Sequence, residues 1–343
     1  VFNYKESAKI AFGAASTYNL QLNGAVVPNY IRYDEYTSWN QIQGFAEFAF
    51  KLLDDRLTFT PGVKVQNFTR KINTPIASQS ARVGIAAQDS YKPTLPYFSA
   101  NFLIRPDLSV YAQYAKGFLI PSLSSSLETV IPDGNGGTKC IPSTTSTPNT
   151  TCAFEPTRTT NYQAGMVYAG DRLNIDIDGY YIKSSNSTAV DPSTNVATVS
   201  PNAAIYKGLE GQVSYFLAKG LSAIVNGSVM SSKDSVTHLW LSQAPNYTAA
   251  IGMVYHGERF KLSYIHKFTG QQYADGGQLV RIAPYSNGIL SGSVKLGPVW
   301  VGGTVYNLFN DTSTTKIGSS TGAVPLYFFQ PGRSFQAQVK FKF

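Results

Sequence analysis

The chain ends on the stretch "GRSFQAQVKFKF", residues 332–343, in which apolar and polar side chains alternate strictly. Successive side chains of an extended strand point to opposite faces, so the aromatic and aliphatic residues share one face and the glutamines and lysines the other. A flat, uncovered strand edge favours aggregation, and a strand of this kind at a chain end therefore needs a neighbouring strand. The rest of the sequence indicates what surrounds it.

The amino-acid composition limits the classes of protein to which the chain can belong. The chain has 343 residues, of which 43% are hydrophobic and only 14% are charged, against roughly 25% charged residues in soluble domains. No run approaches the ~18 apolar residues of a membrane-spanning helix, which leaves a membrane barrel open. The formal net charge is +8, yet Lys and Arg are scattered singly, so attraction of an anionic solute explains the charge at least as well as nucleic-acid binding does.

Strand-like segments recur along the chain, and short and long connections alternate between them. The segments 38–52 and 56–68 are joined by "LDD", 94–104 and 108–116 by "RPD", and four later pairs by "AGD", "LAKG", "HGE" and "GP". The long loops are 117–158, 183–204, 231–245, 269–286 and 308–333. With a first strand near residues 5–16, we expect about fourteen strands, an even number as in bacterial outer-membrane barrels.

The parity of the side chains predicts what the two faces contact. In residues 171–182, one face carries Leu173, Ile175, Ile177 and Tyr181, and the other carries Asn174, Asp176, Asp178 and Tyr180. An apolar face toward lipid and a polar face toward a wet lumen give this pattern. Because backbone groups in hydrocarbon must all be paired, the strands must also close into a ring. The sequence therefore predicts an all-β fold, a transmembrane antiparallel β-barrel; a soluble sandwich would instead hide its apolar face in a dry core.

Barrels of this class place short turns in the periplasm and long loops outside, with aromatic girdles at both membrane interfaces. The candidates for these girdles are tyrosines in or near the predicted strands: Tyr18, Tyr30, Tyr114, Tyr162, Tyr168, Tyr181, Tyr215 and Tyr255. Their alternative reading is that of ordinary strand aromatics.

Both cysteines, Cys140 and Cys152, lie in the polar stretch "DGNGGTKCIPSTTSTPNTTCAFEP". In an oxidising compartment they would form a disulfide that closes a small loop, with two free thiols as the alternative. The chain has only three histidines, and it shows no Ser/His/Asp arrangement and no metal-ligand spacing, so we predict no enzyme, no metal site and no cofactor. Asp176 and Asp178 could form a catalytic acid pair, but solvated wall residues are the favoured reading.

Several stretches, taken in order, resemble the carboxy-terminal part of TonB-dependent outer-membrane receptors. "LSVYAQYAKGFLIPSLS" is similar to the family's Tyr-x-x-Tyr-x-x-Gly-Phe-x-x-Pro-Ser segment, and "RLTFTPGVKV" to its Leu-Thr-x-x-Pro-Gly-x-Arg segment, with Lys64 where Arg is usual. "YKGLEGQVSY" matches the Gly-x-Glu strand. The closest resemblance lies at the end, where "VYNLFNDT" and "PGRSFQAQVKFKF" are similar to the two closing strands.

The resemblance implies a barrel of 22 strands around a plug domain. Residues 1–343 would then be the carboxy-terminal portion of the barrel, with no plug domain and without the first strand that would pair with the last one. The terminal aromatic strand, with Phe341 and Phe343, would also be the signal that the barrel-assembly machinery reads. Lipids and lipopolysaccharide of the bacterial outer membrane would surround the wall, and no nucleic acid is expected as a partner.

The function that the resemblance implies is active uptake of a scarce solute, first of all a ferric siderophore, powered by the TonB–ExbB–ExbD complex acting on the plug. Cations and ring faces both bind an anionic chelate. The candidate contacts lie in the predicted outer loops: Arg82, Lys139, His238, Trp240, Tyr273, Arg281 and Tyr327. Taken singly, each is more simply interpreted as a solvated loop residue than as a ligand contact.

Other functions remain open at this point. A passive porin, an adhesive barrel, or a receptor for cobalamin, haem or an oligosaccharide would use the same wall. A plug and a TonB-contacting box in the upstream sequence would separate active transport from the first two.

Overall fold

The structure, a computed structural model, describes residues 2–12, 21–22, 25–26, 30–76, 85–120, 128–132, 138–142, 155–190, 197–199, 202–275, 277–319 and 325–341. All regular elements within these ranges are β-strands, numbered β1–β26 in chain order. None of the described segments forms a helix of the length and apolar character needed to cross a membrane.

Fourteen strands form the main sheet. They are β1 (Phe2–Phe12), β4 (Tyr30–Glu47), β6 (Leu57–Ile76), β8 (Thr94–Arg105), β9 (Leu108–Leu119), β12 (Thr157–Ala169), β13 (Leu173–Ser185), β16 (Ala204–Ala218), β17 (Leu221–Asp234), β18 (Tyr247–His256), β19 (Phe260–Thr269), β22 (Tyr285–Leu296), β23 (Val299–Tyr306) and β26 (Ser334–Phe341). Each of them pairs antiparallel with the next one in this order. Two further strands, β5 (Phe50–Leu52) and β7 (Ile85–Tyr91), pair with β6.

The remaining ten strands are short and lie in the long connections. They are β2 (Gln21–Leu22), β3 (Ala25–Val26), β10 (Glu128–Pro132), β11 (Thr138–Pro142), β14 (Thr188–Val190), β15 (Ala197–Val199), β20 (Gln272–Tyr273), β21 (Arg281–Ile282), β24 (Thr314–Ser319) and β25 (Pro325–Phe329). Pairing of β11 with β15 joins the two long loops that follow β9 and β13. The long-loop end of the sheet is therefore itself partly built of strands.

The sheet confirms the predicted fold class and the expected strand number within the described residues. The first strand occupies Phe2–Phe12 rather than residues 5–16, and the strand predicted to start at residue 38 starts at Tyr30. The last strand pairs with β23, with Phe341 opposite Val299. Among the described residues no pairing joins β26 to β1, so the partner of the free edge of β26 stays a prediction.

The two faces of the sheet differ in the exposure of their side chains, as the alternation along each strand predicts. On β13 the side chain of Ile177 is 45% exposed, whereas the neighbouring Asp178 is only 8% exposed. We call the face that carries Ile177 and its register partners the apolar face, and the opposite one the polar face. Among the residues whose side-chain burial the structure describes, four hydrophobic ones are buried: Phe68, Ile72, Ala204 and Ile282. The apolar side chains thus point outward rather than into a dry core, as in a wall that faces lipid.

A ladder of aromatic rings crosses four neighbouring strands on the apolar face. Ring centroids lie 6.0 Å apart for Phe98 and Tyr114, 5.1 Å for Tyr114 and Tyr162, and 6.4 Å for Tyr162 and Tyr181. Nearer the short turns the same face carries three more of the predicted tyrosines: Tyr168, Tyr215 and Tyr255. These positions fit two girdles. Tyr18 lies outside the described residues, and Tyr30 is described only as part of β4.

Gly220 and Arg56 stabilise short turns of the sheet. Gly220 adopts a φ of +76°, and a Cβ there would lie 2.5 Å from the carbonyl oxygen of His256, so this turn requires glycine. Arg56 connects two neighbouring turns, because its guanidinium donates to the carbonyl oxygens of Leu103 and Ile104 over 3.1 and 2.8 Å. The hydrogen bonds of Arg56 thus tie these two turns to each other at the short-turn end of the sheet.

Candidate functional site

Three of the long connections are linked in series at one end of the sheet. The Gln243 N–H donates to the Tyr273 carbonyl over 2.7 Å, and the Asn246 N–H donates to the Gln271 carbonyl over 3.0 Å. The Gln272 side chain then donates to the Thr315 carbonyl over 3.0 Å. The loops after β17, β19 and β23 are therefore tied to one another; we call this linked set the loop group.

The loop group brings together three of the predicted contacts. Tyr273 and Arg281 face each other as register partners in the β20–β21 hairpin, and the Arg281 side chain is exposed. Tyr327 lies on β25 opposite Ile317, is 53% exposed, and stacks on Phe329 with ring centroids 6.4 Å apart. Since β21 contacts β24, the two hairpins lie next to each other. Between them they carry a cation and aromatic rings, the groups that bind an anionic chelate.

The turn after β17 holds another of the predicted contacts, His238. The carboxylate of Asp234 accepts the N–H groups of Val236 and Thr237 over 2.9 and 2.8 Å. His238 follows with a φ of 57°. The Asp234 side chain thus closes the turn, and His238 is exposed at its tip.

Trp240 lies in a different place from the other predicted contacts. It forms a bridge with Lys233, and residues opposite each other in an antiparallel pair share a face. The face is the apolar one, because Lys233 is opposite Ile205 on β16. The Trp240 ring lies 5.6 Å from the Lys233 Nζ. Trp240 is therefore placed toward the outside of the wall rather than toward the polar face.

The other sequence predictions fall on residues of which less is described. Arg82, Cys152 and Phe343 lie outside the described residues. Lys139 and Cys140 are described as neighbouring positions of β11, where Cys140 is opposite Val130. The disulfide between Cys140 and Cys152 and the ligand contacts of Arg82 and Lys139 therefore remain predictions.

The polar face carries an acidic patch near its middle. Asp178 is opposite Glu210, and Asp176 is opposite Gln212. The Gln163 amide donates to Asp178 Oδ1 over 2.9 Å and accepts a hydrogen bond from Gln113. Sequence reasoning placed both aspartates on this face but missed the glutamine chain, for which the alternating pattern of β9 and β12 was the available signal. Within the described residues no group of three or more His, Cys, Asp or Glu could hold a metal ion.

A basic groove lies on the polar face at the short-turn end. Lys261, Lys295, Trp300 and Lys340 line a cavity of about 800 Å³. The Lys261 Nζ is 4.4 Å from the centre of the Trp300 ring, a distance at which a cation and an aromatic face attract each other. The sequence could not reveal this groove because its residues come from four strands and meet only through their register.

The motif "NLFND" closes the base of the last loop. Asn307 is 3% exposed, and its side-chain amide donates to the carbonyl oxygens of Asp311 and Pro331, each over 2.8 Å. The Asn310 side chain accepts the N–H of Arg333 over 2.9 Å. Both asparagines have positive φ, 50° and 56°, which asparagine tolerates better than most residues. We call these contacts the loop clamp.

Asp311 within the clamp is held ionised. The Ser313 hydroxyl donates to Asp311 Oδ1 over 2.5 Å, and the N–H groups of Ser313 and Ser286 donate over 2.9 and 3.1 Å. These hydrogen bonds, first of all the one from the Ser313 hydroxyl, lower the pKa of Asp311 below its ordinary value despite partial burial. The Asp311 carboxylate thus connects the loop after β23 to Ser286 near the start of β22.

Similar proteins place this arrangement in a family. Residues 2–321 match the family described as TonB dependent receptor-like, beta-barrel. Among solved structures, the copper transporter OprC superimposes with a TM-score of 0.71 and 18% identity, over 99% of this chain and 53% of that one. The ferric yersiniabactin uptake receptor FyuA from Yersinia pestis gives a TM-score of 0.69, 18% identity, and 91% and 47% coverage.

The ferric-catecholate import receptor Fiu from E. coli K12 gives a TM-score of 0.70 and 11% identity, over 93% of this chain and 47% of that one. The chain thus spans about half the length of these structures. At these identities the structures establish the fold, an antiparallel barrel wall, and not the solute. Because the family model covers most of the chain, the protein belongs to the TonB-dependent receptor β-barrel family.

Proposed function

We propose that the chain forms part of the wall and outer loops of a receptor that takes up an anionic metal chelate, most simply a ferric siderophore, across the bacterial outer membrane. The observation that supports this proposal is the loop group, in which Arg281 is the register partner of Tyr273 and their hairpin contacts the hairpin that carries the exposed ring of Tyr327. Three neighbours in the fold have iron chelates in their names, ferric yersiniabactin, ferric citrate and ferric catecholate.

The charge of the chain supports an anionic solute. Its formal net charge is +8, and clefts lined by one sign of charge raise the local concentration of the opposite ion. The chelate would first meet the loop group and then pass along the polar face. In this proposal the TonB–ExbB–ExbD complex supplies the energy through a plug, and the barrel-assembly machinery reads the last strand with Phe341 and Phe343.

The test is growth on single iron sources. Cells that lack the gene for this protein are grown under iron limitation with a panel of ferric chelates, each as the only iron source. We expect growth to be lost on one chelate and restored by the unchanged gene but not by Arg281→Gln combined with Tyr327→Ala. The matched control is Arg172→Gln, which removes the same charge from an exposed residue at the short-turn end.

Two outcomes would contradict the proposal. Unchanged growth on every ferric chelate would exclude iron uptake and point to another solute. Uptake that persists in cells without TonB would show passive diffusion, because a porin needs no energy complex.

A further inference from the structure

The positive charges of the last four strands of the main sheet all lie on the polar face. These strands, β19, β22, β23 and β26, contain four Lys and no Arg, Asp or Glu within their bounds. The lysines are Lys261, Lys267, Lys295 and Lys340, and the register places each of them on the face opposite to the apolar one. The polar face therefore has an acidic side, on β13 and β16, and a basic side whose strands carry no acid.

Three of these lysines are gathered around one aromatic ring. Trp300 is the register partner of Lys295 on one side and of Lys340 on the other. Because adjacent strands lie about 4.8 Å apart, the backbones of these two lysines are separated by about 10 Å, with Trp300 between them. Lys261 lies two strands away from Trp300, on β19, and its Nζ is 4.4 Å from the centre of the ring. The ring is thus the common neighbour of three cations.

Small residues leave the space between these side chains open. In the next row of the sheet, Lys261 is opposite Ser293, and Ser293 is opposite Gly302. A Cβ on Gly302 would lie 2.7 Å from the Gly292 carbonyl oxygen, so this close approach of two strands requires glycine. The basic groove has a volume of about 800 Å³, within the roughly 300–1,000 Å³ of pockets that bind small molecules.

The lysines of the basic groove have no acidic partner among the described residues. None of the ion pairs in that part of the chain includes Lys261, Lys295 or Lys340. The short turns between β18 and β19 and between β22 and β23 contain one acid, Glu258, which is exposed and directly precedes Arg259. Like charges held close together repel one another unless an anion lies between them. The missing counter-charge is therefore an anion from outside this sheet.

Strand β19 connects the basic groove to the loop group. Lys267 lies on the same face of β19 as Lys261, six residues further along, and is therefore about 20 Å closer to the long loops. Shortly after Thr269 the chain enters the β20–β21 hairpin of the loop group, which carries Tyr273 and Arg281. Cations together with aromatic rings thus occur at both ends of the polar face, with Lys267 between them.

We propose that the basic groove is a second binding site for the anionic solute, at the end of the polar face where the solute leaves the barrel. This assignment rests on the proposed function, because it takes the solute to be an anionic metal chelate. Barrels of this class turn their short connections toward the periplasm, so the chelate meets the loop group first and the groove last. Since exposed ion pairs are individually weak, three lysines and one ring attract a small polyanion and still release it.

The first experiment measures whether a small polyanion enters the groove. The protein is purified as its gene encodes it, in a neutral detergent, and titrated with hexacyanoferrate(III), an inert trianionic iron complex that quenches tryptophan fluorescence. The signal of Trp300 is the difference between the protein and its Trp300→Phe variant. Acrylamide, which is uncharged, serves as the second quencher and reports access to the ring without any contribution from charge.

The variants separate the groove from the overall charge. The test variant replaces the three lysines of the groove: Lys261→Gln, Lys295→Gln and Lys340→Gln. The control variant removes the same charge from three exposed lysines of the apolar face: Lys116→Gln, Lys183→Gln and Lys207→Gln. With about a threefold loss of affinity for each lysine, the test variant should bind hexacyanoferrate on the order of 30-fold more weakly. The control, and a variant with arginine at the three groove positions, should bind like the unchanged protein.

Acrylamide should quench Trp300 equally in the test variant, the control and the unchanged protein. Equal quenching by hexacyanoferrate in the test variant and the control would overturn the proposal, because the groove lysines would then not attract the anion. A Trp300 that neither quencher reaches would also contradict it, since another segment of the protein would then fill the groove.

Uptake by cells separates this proposal from the proposed function. For the ferric chelate on which growth depends, the test variant should lower the maximal rate of uptake severalfold and leave the half-saturating concentration nearly unchanged, because the loop group still captures the chelate. Arg281→Gln combined with Tyr327→Ala should instead raise the half-saturating concentration. An unchanged maximal rate in the test variant would refute the role of the groove alone, and hexacyanoferrate binding without uptake of any chelate would contradict only the proposed function.

Folding is checked by circular dichroism and by the shift in electrophoretic mobility on heating. If the triple variant does not fold, Lys295→Gln alone serves instead, because Lys295 is exposed. Its expected loss of affinity for hexacyanoferrate is about threefold, and an unchanged affinity in this variant would count against the proposal.

Discussion

The two faces of one strand, β13, show how differently neighbouring residues are used. Ile175 and Ile177 point outward and are surrounded by other aliphatic and aromatic side chains, whereas Asp176 and Asp178 point to the polar face beside Glu210. Residues one position apart thus belong to two environments. The difference is set by the period of two of an extended strand, and the register carries it from strand to strand.

The faces are also held by different forces. The apolar face is joined sideways by ring contacts, as between Tyr162 and Tyr181. The polar face is joined by hydrogen bonds that cross several strands, such as the chain from Gln113 through Gln163 to Asp178. Contact with hydrocarbon excludes unpaired polar groups, while contact with water tolerates them.

The largest expected effect comes from a charge placed on the wrong face. Ile177→Arg should destabilise the protein in a lipid bilayer by about 2–4 kcal/mol, because Ile177 lies in the middle of the apolar band. The measurement is urea unfolding in bilayers, followed by tryptophan fluorescence. Gln212→Arg is the matched control: it adds the same group to the polar face opposite Asp176 and should change the free energy of unfolding little. Equal losses in both variants would show that the two faces do not differ as described.

A smaller loss of stability is expected at the loop clamp, where the main sheet continues into the last loop. The lowered pKa of Asp311 means that its ionised form stabilises the folded loop. This contribution is fully present above the ordinary pKa of about 3.9 and is lost as the pH falls through the lower folded value. Relative to the intrinsic exchange rates at each pH, we expect the protection of the amides of residues 307–313 to fall below about pH 4, and Asp311→Asn to lower this protection already at pH 7 by about 1 kcal/mol.

Asp171→Asn, at an exposed short turn, provides the control for the loss of one carboxylate. It should leave exchange in residues 307–313 unchanged at both pH values. Rapid exchange of this segment at neutral pH in the unchanged protein would contradict the closed clamp.

The smallest expected effect is a difference in tryptophan fluorescence, which tests the assignment of the two faces. Trp240 is placed on the apolar side and Trp300 on the polar face. In variants that keep a single tryptophan, lipids brominated near the headgroup should quench the fluorescence of Trp240 and leave that of Trp300 nearly unaffected. The reverse result would mean that the assignment of the faces is inverted.

The strands of the main sheet could be predicted from the sequence because side-chain alternation and connection length are local features of the chain. Alternation along each strand assigned Ile177 and Asp178 to opposite faces, and the contrast between short and long connections gave the number of strands in the main sheet. Where strands begin was less predictable: Tyr30 starts β4 eight residues before the predicted segment. The alternating pattern fades there while the backbone pairing with β1 continues.

The candidate site was predictable only as a list of residue types. Tyr273, Arg281 and Tyr327 were chosen as loop cations and aromatics, but their association depends on hydrogen bonds between loops far apart in the sequence. Trp240 was chosen by the same criterion and lies on the apolar side instead.

The loop clamp has a consequence for how such a receptor can diversify. Asn307 and Asn310 fasten the two ends of the last connection to each other, at Pro331 and Arg333. The hairpin β24–β25 between these points can therefore lengthen, shorten or change its sequence while β26 keeps its register against β23. The outer hairpin can therefore vary without any change in how the last two strands of the main sheet pair.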